Sequence, residues 1–285
     1  MRTVRTVAEH RAQIADWRRG GERVCLVTTM GALHDGHLSL IAMGRRVADR
    51  VVATIFVNPT QFGANEDLST YPRDEARDAG MLAEAGCDML FAPPLEEMYP
   101  VDFSTKVQVD GLTDRLCGAA RPGHMDGVAQ VVAKLLNQAG ADYAIFGEKD
   151  WQQLAVIRRM ARDLDIPTEI LGGPTLREPD GLAMSSRNRY LDDGQRRVAA
   201  HLNRVLFSTA DRIAKGFPVA EECAAAAKTL LSAGFEKVDY IEARDGESLD
   251  MVRQFDPVRP GRIFGAAHLG RARLIDNVPI AALDG

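Results

Sequence analysis

VCLVTTMGALHDGHLSLIAMGRRV, residues 24–47, is the segment from which the architecture of this chain is best predicted. Its first residues, Val24–Thr28, form a short apolar run that is typical of a buried strand, and its last, His37–Val47, follow a helical pattern. Gly31 and Gly36 lie between them and allow the backbone to turn tightly and to approach a ligand closely. The order strand, glycine turn, helix predicts the first unit of a parallel α/β sheet.

Strands and helices alternate through the rest of the first half. Further strands are predicted at Val51–Val57, Met89–Phe91, Tyr143–Phe146 and Thr168–Leu171. Helices are predicted at Asp74–Ala85, Val128–Gln138 and Trp151–Asp163. Strands that alternate with helices imply βαβ units, whose crossovers are right-handed. The predicted fold class is therefore α/β, with a Rossmann-like doubly wound parallel sheet covered on both faces.

The pattern changes near the Gly-Gly-Pro sequence at residues 172–174. Beyond it, helices are predicted at Asp193–Ala214 and Glu221–Ala233, and strands at Val238–Ala243, Arg262–Leu269 and Ala272–Ile275. Helices followed by strands are typical of an α+β unit. We therefore expect two domains, a Rossmann-like domain at residues 1–176 and a smaller α+β C-terminal lid domain at residues 177–285.

The composition of the 285 residues argues against several classes of protein. Hydrophobic residues make up 46% and charged residues 26%, as in ordinary globular proteins. The net charge of −5 argues against a nucleic-acid partner, which usually needs a basic face. No apolar run approaches the roughly 20 residues that span a bilayer, and the N-terminus lacks a signal-peptide pattern, so we expect no membrane partner and a cytoplasmic location. The four cysteines form no CxxC pair, which favours reduced thiols over zinc or disulfides.

Two histidines occupy the turn after the first strand. His34 and His37 are three residues apart at the start of a helix, where free N–H groups and the positive end of the helix dipole favour phosphate. Imidazole N–H groups there can donate to charge that develops on a phosphoryl oxygen. The alternatives are two surface histidines at a helix cap, or half of a metal site. The strand–turn–helix context favours the phosphate site.

Polar side chains also follow the second predicted strand and precede the Val128 helix. In FVNPTQFG, residues 56–63, the amides of Asn58 and Gln61 suit the hydroxyl and carboxylate groups of a small substrate, although an Asn-Pro turn is the plainer explanation. The RPGH sequence at residues 121–124 is either an anion site or a solvated loop.

Two later segments carry charges suited to a nucleotide. In GEKDWQQ, residues 147–153, Lys149 suits ATP phosphates, and Asp150 either accepts from a ribose hydroxyl or caps the helix. In MSSRN, residues 184–188, two hydroxyls and a guanidinium make a phosphate clamp on a loop that can close, unless the segment is a solvated linker.

These motifs carry a family resemblance. The HxGH sequence at residues 34–37 is similar to the HIGH signature of the nucleotidylyltransferase superfamily, and MSSR resembles its KMSKS-type signature. The longer strings TMGALHDGHLSLI, FVNPTQF, FGEKDWQQ and DGLAMSSRNRYL resemble the pantothenate synthetase (pantoate–β-alanine ligase) family in sequence, order and separation. The resemblance covers most of the chain up to Tyr190, and beyond it only VDYIEARD and RLIDN share it.

The resemblance implies a ligase that uses ATP and Mg²⁺ to convert pantoate into pantoyl adenylate, which β-alanine then attacks to give pantothenate and AMP. It also implies a homodimer formed through the first domain. The catalytic residues it implies are His34, His37, Lys149 and Arg187. Those implied for ATP are Met30, Gly31, His34, His37, Gly147, Lys149, Asp150, Leu176, Met184, Ser185, Ser186 and Arg187. Those implied for pantoate are Met30, Asn58, Gln61 and Gln153, and no protein side chain is assigned to a metal.

Two positions depart from the family pattern. Thr28 stands where the family usually has proline, which frees φ and restores an N–H group, so we expect a slightly looser nucleotide-facing turn. Met125 stands in an aromatic position, where a flexible apolar side chain should still pack.

Three other functions compete with this interpretation. A nucleotidyltransferase that adenylates a different small acid or a phosphate and stops is disfavoured by NPTQF and FGEKDWQQ. A nucleotide-binding regulatory module without chemistry is disfavoured by two phosphate-facing signatures in one chain. A zinc hydrolase built on His34 and His37 lacks an obvious third ligand nearby.

Overall fold

A computed structural model describes residues 1–63 and 66–281 of the chain. Its first sheet contains β1 (Arg2–Val4), β2 (Val24–Thr29), β3 (Arg50–Ile55), β4 (Met89–Phe91), β5 (Tyr143–Gly147) and β6 (Glu169–Gly173). The strands are ordered β1-β4-β3-β2-β5-β6, and every pairing is parallel. The predicted α/β fold class is therefore confirmed.

Helices cover both faces of this sheet. They are α1 (Val7–Arg19), α2 (Asp35–Val47), α3 (Glu75–Glu84), α4 (Leu95–Met98), α5 (Leu116–Ala120), α6 (His124–Ala139) and α7 (Trp151–Asp163). Successive residues of β2 point to opposite faces. Val24 and Leu26 share an apolar cluster with α1, α6 and α7, whereas Cys25 and Val27 share one with α2 and α3. Both faces are apolar because the strand lies between two layers of helices.

The strand order places a switch point at β2. From β2 the chain adds β3 and β4 on one side, and it then returns to add β5 and β6 on the other. The loops after β2 and β5 therefore diverge at the carboxyl edge of the sheet, which is where open α/β sheets bind ligands. The histidine turn and the Lys149 segment both lie at this edge.

The last third of the chain forms an α+β unit. Its helices are α8 (Asp193–Ala199), α9 (His201–Ala214) and α10 (Val219–Ser232), and its antiparallel sheet is β7 (Lys237–Asp245), β8 (Gly261–Leu269) and β9 (Ala272–Pro279). Leu202 and Leu206 of α9 pack with Ile263 and Leu274 of the sheet in a separate apolar cluster. The predicted domain boundary between residues 176 and 177 stays a prediction. Among the described residues, no helix has the length and apolar character needed to cross a bilayer.

The sequence patterns miss four elements, namely β1, α1, α4 and α5, together with one helix break, and they end β9 too early. β1 has three residues, and α1 buries only His10 and Ile14, so neither leaves a clear periodic signal. The helix predicted at Asp193–Ala214 is two helices that meet at Ala200, a break without the glycine or proline that would reveal it. Strand β9 continues past the predicted end at Ile275, since the polar residues that follow it are buried.

Candidate active site

The turn after β2 is fixed by a buried carboxylate. Gly31 (φ 78°) and Ala32 (φ 53°) both adopt left-handed backbone conformations, which glycine adopts without strain and alanine rarely adopts. Asp78 on α3, 1% exposed, accepts hydrogen bonds from the N–H groups of Ala32 (2.7 Å) and Leu33 (3.0 Å). Helix α3 therefore holds the turn that carries the two histidines.

His34 and His37 cap α2 with their own side chains. Nδ1 of His34 accepts from the N–H of Gly36 (3.1 Å), and Nδ1 of His37 accepts from the N–H of His34 (3.4 Å). A neutral imidazole carries one N–H, so an accepting Nδ1 places the proton on Nε2 in both rings. The helix-cap alternative and the phosphate-site prediction are thus compatible, because capping uses Nδ1 and leaves two Nε2–H donors.

Both imidazoles are neutral near pH 7. Burial, with smaller contributions from the charges of Lys149 and Arg189, lowers the pKa of His34 to about 4. Burial and the neighbouring His34 lower the pKa of His37 to about 3. Each ring therefore offers a neutral Nε2–H donor, and the positive charges that line the cleft are those of lysine and arginine.

A cleft of about 790 Å³ opens at the switch point. Most of the predicted site residues line it, namely Met30, His34, His37, Gln61, Gly147, Lys149, Asp150, Gln153, Leu176, Met184, Ser185 and Arg187. The predicted residues that do not line it are Gly31, Asn58 and Ser186. The C-terminal sheet closes part of the cleft with side chains that include Lys237, His268 and Arg273.

Asn58 supports Gln61 from behind the cleft wall. It is 1% exposed, and its Nδ2 donates to Oε1 of Gln61 (3.1 Å) and to the carbonyl of Gly127 (3.0 Å). Its Oδ1 accepts from the hydroxyl of Tyr99 (3.0 Å). With Oε1 held in this way, Nε2 of Gln61 lies 3.2 Å from Sδ of Met30 at the cleft. These contacts favour a positioning role for Asn58 over the direct substrate contact predicted from the sequence.

The segment after β5 runs through a short 3-10 helix, Glu148–Asp150, into α7. Nζ of Lys149 lies 3.8 Å from Oδ2 of Asp150. Asp150 occupies the N-cap position of α7, but within the described residues its side chain makes no capping hydrogen bond. Its carboxylate is therefore available to a ligand, which favours the ribose prediction over the capping alternative.

Protein contacts hold the Met184–Asn188 segment. Nη2 of Arg187 donates to Oδ1 of Asp67 (3.0 Å), and the Ser186 hydroxyl lies 3.5 Å from that of Tyr71. The segment is therefore docked on the loop around Asp67, and the solvated-linker alternative is wrong.

The loop at residues 121–124 is also paired with protein groups. Nε of Arg121 donates to Oε1 of Glu66 (2.7 Å), and Nδ1–H of His124 donates to the carbonyl of Gln61 (2.8 Å). Burial and the Arg121 charge lower the pKa of His124 to about 4. The loop thus supports Gln61 by a hydrogen bond to its carbonyl, and the solvated-loop alternative is wrong.

Both positions that depart from the family pattern lie in regular structure, and the expected looser turn stays a prediction. Thr28 lies within β2 and pairs with Thr54 in the regular register of the sheet. Met125 is buried, as expected of an apolar substitute for an aromatic residue.

Comparison with known proteins decides among the candidate functions. The family model for pantoate-beta-alanine ligase matches residues 2–279. The chain belongs to the pantoate–β-alanine ligase family. Membership makes it a ligase of pantothenate biosynthesis, so the three competing functions are not favoured.

Similar proteins cover this chain almost completely. A pantothenate synthetase of Paramagnetospirillum magneticum is 58% identical over 277 residues, which cover 97% of each chain. One of Sphingopyxis alaskensis is 54% identical over 280 residues, which cover 98% of this chain and 100% of the relative.

Two solved structures of the family share the fold. The crystal structure of pantothenate synthetase from Thermus thermophilus gives a TM-score of 0.92 at 47% identity and covers 99% of this chain and 100% of that one. Pantoate-beta-alanine ligase from Francisella tularensis, complexed with "Beta-gamma ATP" and β-alanine, gives a TM-score of 0.83 at 31% identity and covers 98% of each chain.

Proposed function

We propose that this ligase joins pantoate to β-alanine in two steps, through a pantoyl-adenylate intermediate. The observation that carries the proposal is the pair of neutral imidazoles whose Nδ1 atoms are occupied by the α2 cap, on the same cleft as Lys149 and Arg187. A carboxylate is a poor acyl donor, and adenylation gives it AMP as a leaving group. The ligands of the Francisella tularensis ligase support ATP and β-alanine as substrates here.

In the first step, a carboxylate oxygen of pantoate attacks the α-phosphorus of ATP, and the bond from that phosphorus to the oxygen of pyrophosphate breaks. Charge develops on the α-phosphoryl oxygens and on the leaving pyrophosphate. The Nε2–H groups of His34 and His37 donate to the former, and Lys149 and Arg187 hold the latter. Arg187 and Asp67 are paired in the ligand-free chain, so the phosphate competes with Asp67 for the Arg187 guanidinium.

In the second step, the free amine of β-alanine attacks the acyl carbon, the acyl C–O bond to AMP breaks, and the amine loses a proton to solvent. The enzyme needs no covalent nucleophile, since its task is to position the reactants and stabilise charge. Closure of the cleft would protect the mixed anhydride from hydrolysis.

The remaining assignments follow from where the side chains lie. Gln61 and Gln153 face the cleft and would orient pantoate, with Met30 as an apolar contact and Asn58 holding Gln61 in place. Asp150 would accept from the ribose hydroxyls of ATP. Gly147, Leu176, Met184 and the two serines would complete the nucleotide site, with Ser186 acting from behind the wall.

We propose Mg²⁺ as part of the ATP substrate. Within the described residues, no group of three or more His, Cys, Asp or Glu side chains could hold a metal ion. Mg²⁺ does not require such a group, because it usually keeps several waters and binds phosphate oxygens together with one or two carboxylates. Asp67 lines the cleft and suits that role. The ion would neutralise charge on the phosphates.

We also propose a cytoplasmic homodimer in which residues 177–285 act as the lid domain. Light scattering of the purified protein should give about twice the 31.1 kDa mass of the chain. A monomeric mass at assay concentrations would contradict the dimer.

The adenylate step has its own test. In the absence of β-alanine, the enzyme should exchange labelled pyrophosphate into ATP only when pantoate and Mg²⁺ are present. If ligation proceeds but no exchange is detected at any pyrophosphate concentration, the two-step scheme is wrong.

A further inference from the structure

The side chain of Asn277 on strand β9 contacts the short 3-10 helix Glu148–Asp150, which we call the Lys149 turn. Asn277 is 3% exposed, and its Nδ2 donates to the carbonyl oxygens of Glu148 (2.9 Å) and Lys149 (3.0 Å). One amide group therefore bridges two consecutive carbonyls of the 3-10 helix. Both carbonyls belong to the Lys149 turn, and we place the Lys149 side chain at the phosphates of ATP.

The orientation of the Asn277 amide is itself fixed. Oδ1 accepts from Nε of Arg262 (2.8 Å), and the Arg262 guanidinium lies 3.6 Å from the centroid of the Trp151 ring. A guanidinium can only donate, so the amide oxygen faces Arg262 and the NH₂ group faces the two carbonyls. Nε1 of Trp151 donates to the carbonyl of Gly246 (2.7 Å), which ties the start of α7 to the turn that follows β7.

The neighbouring residue of β9 contacts Arg177, which pairs with the residue before the other phosphate-facing segment. Asp276 accepts two hydrogen bonds from Arg177 (2.7 and 3.0 Å), and Arg177 pairs with Ala183 immediately before Met184. Two consecutive residues of β9 thus contact the Lys149 turn directly and the strand pairing next to Met184 through Arg177. Lys149 and Ser185 of these segments line one small cavity together with Asp276, so the C-terminal sheet contributes to their relative position.

We propose that Asn277 is a positioning residue for Lys149, through which the C-terminal sheet places the phosphate-binding cation. The proposal rests on the proposed role of Lys149. Asn277 donates to the backbone of the turn and leaves the Lys149 ammonium to the cleft. Its loss should therefore act on the rate of adenylation through Lys149.

Kinetics of the folded variants test this role. In Asn277→Ala, the kcat of pantoate-dependent pyrophosphate exchange should fall about 10- to 100-fold, because small misplacements of a charge-stabilising group are costly. The KM for pantoate should stay within about threefold, since the pantoate contacts are untouched. Asn277→Asp should lose more, because it sets a carboxylate against two carbonyl oxygens. Asn137→Asp is the matched control: Asn137 is exposed on α6 and donates to the carbonyl of Ala133 (2.8 Å).

A double-mutant cycle separates positioning from a general structural effect. If Asn277 acts through Lys149, adding Asn277→Ala to Lys149→Ala should lower the residual exchange rate by less than about threefold. An equal loss in both backgrounds would overturn the proposal, as would a wild-type kcat in a folded Asn277→Ala variant. Should Asn277→Ala not fold, as judged by its thermal transition, Asn277→Ser replaces it in the cycle and the same non-additivity is expected. An inactive wild-type enzyme would instead contradict the proposed function, so the two failures are distinguishable.

Discussion

At the residue scale, the site model depends on two groups with different chemistry, a neutral imidazole and an ammonium. His37→Ala and Lys149→Ala should each keep the fold and lower the pantoate-dependent exchange rate by about 100-fold or more, because each removes a preorganised group that faces developing charge. Circular dichroism and the exchange assay check both. His201→Ala, outside the cleft, is the control and should retain the wild-type rate. Near-wild-type exchange rates in both His37→Ala and Lys149→Ala would contradict this model of the site.

A buried histidine that does not line the cleft should make stability depend on pH. His10 is 0% exposed and stacks on Phe91 (4.4 Å between centroids), and within the described residues neither ring nitrogen has a hydrogen-bond partner. Burial, with a small contribution from Arg11, lowers its pKa from 6.5 to about 4. His10 is therefore protonated below about pH 6.5 in the unfolded chain, but only below about pH 4 in the folded chain.

His10 should consequently contribute stability that is complete above pH 6.5 and is lost as the pH falls towards 4. The shift corresponds to about 3 kcal/mol. Urea unfolding of wild type and His10→Phe at several pH values measures it, since the other buried histidines contribute equally to both proteins. If the difference between the two unfolding free energies is the same at pH 7 and pH 4.5, His10 does not titrate in this way.

At the scale of secondary-structure elements, α3 should matter to catalysis although it carries no residue that touches substrate. Asp78→Asn replaces one acceptor oxygen by a donor against the N–H groups of Ala32 and Leu33. We expect a loss of about 2–4 kcal/mol in the free energy of unfolding, because one of these two buried N–H groups loses its carboxylate acceptor. The exchange rate should fall as well, because the turn carries His34. Glu84→Gln, on the exposed end of the same helix, is the control. Unchanged stability in Asp78→Asn would contradict the proposed hold on the turn.

The elements also show what a single sequence can predict. β4 and α7 begin and end at the predicted residues, because β4 is an entirely apolar run bounded by Asp88 and the two prolines at 93–94, and α7 has a strong helical pattern. The motif residues that line the cleft were predictable because each motif is local, and the histidine, NPTQ and Lys149 motifs each follow a predicted strand. Asp78 and Asn277 were not, because they meet the motifs only after folding. The sequence separations are 46 residues to Ala32 and 128 to Lys149, and local periodicity carries no information on such pairings.

At the scale of the whole molecule, residues of the parallel sheet domain and of the antiparallel C-terminal sheet line one cleft. The parallel sheet supplies the histidine turn and the Lys149 turn at its switch point, and β9 of the antiparallel sheet contacts the Lys149 turn and Arg177. The C-terminal unit therefore contributes to the geometry of the site as well as covering it.

The most direct measurement is the release of AMP and pyrophosphate from ATP and Mg²⁺, with pantoate and β-alanine each omitted in turn. The account predicts steady-state AMP release only when both acids are present, in a one-to-one ratio with pantothenate. ATP left untouched with both acids present, or AMP released at the same rate without pantoate, would contradict it.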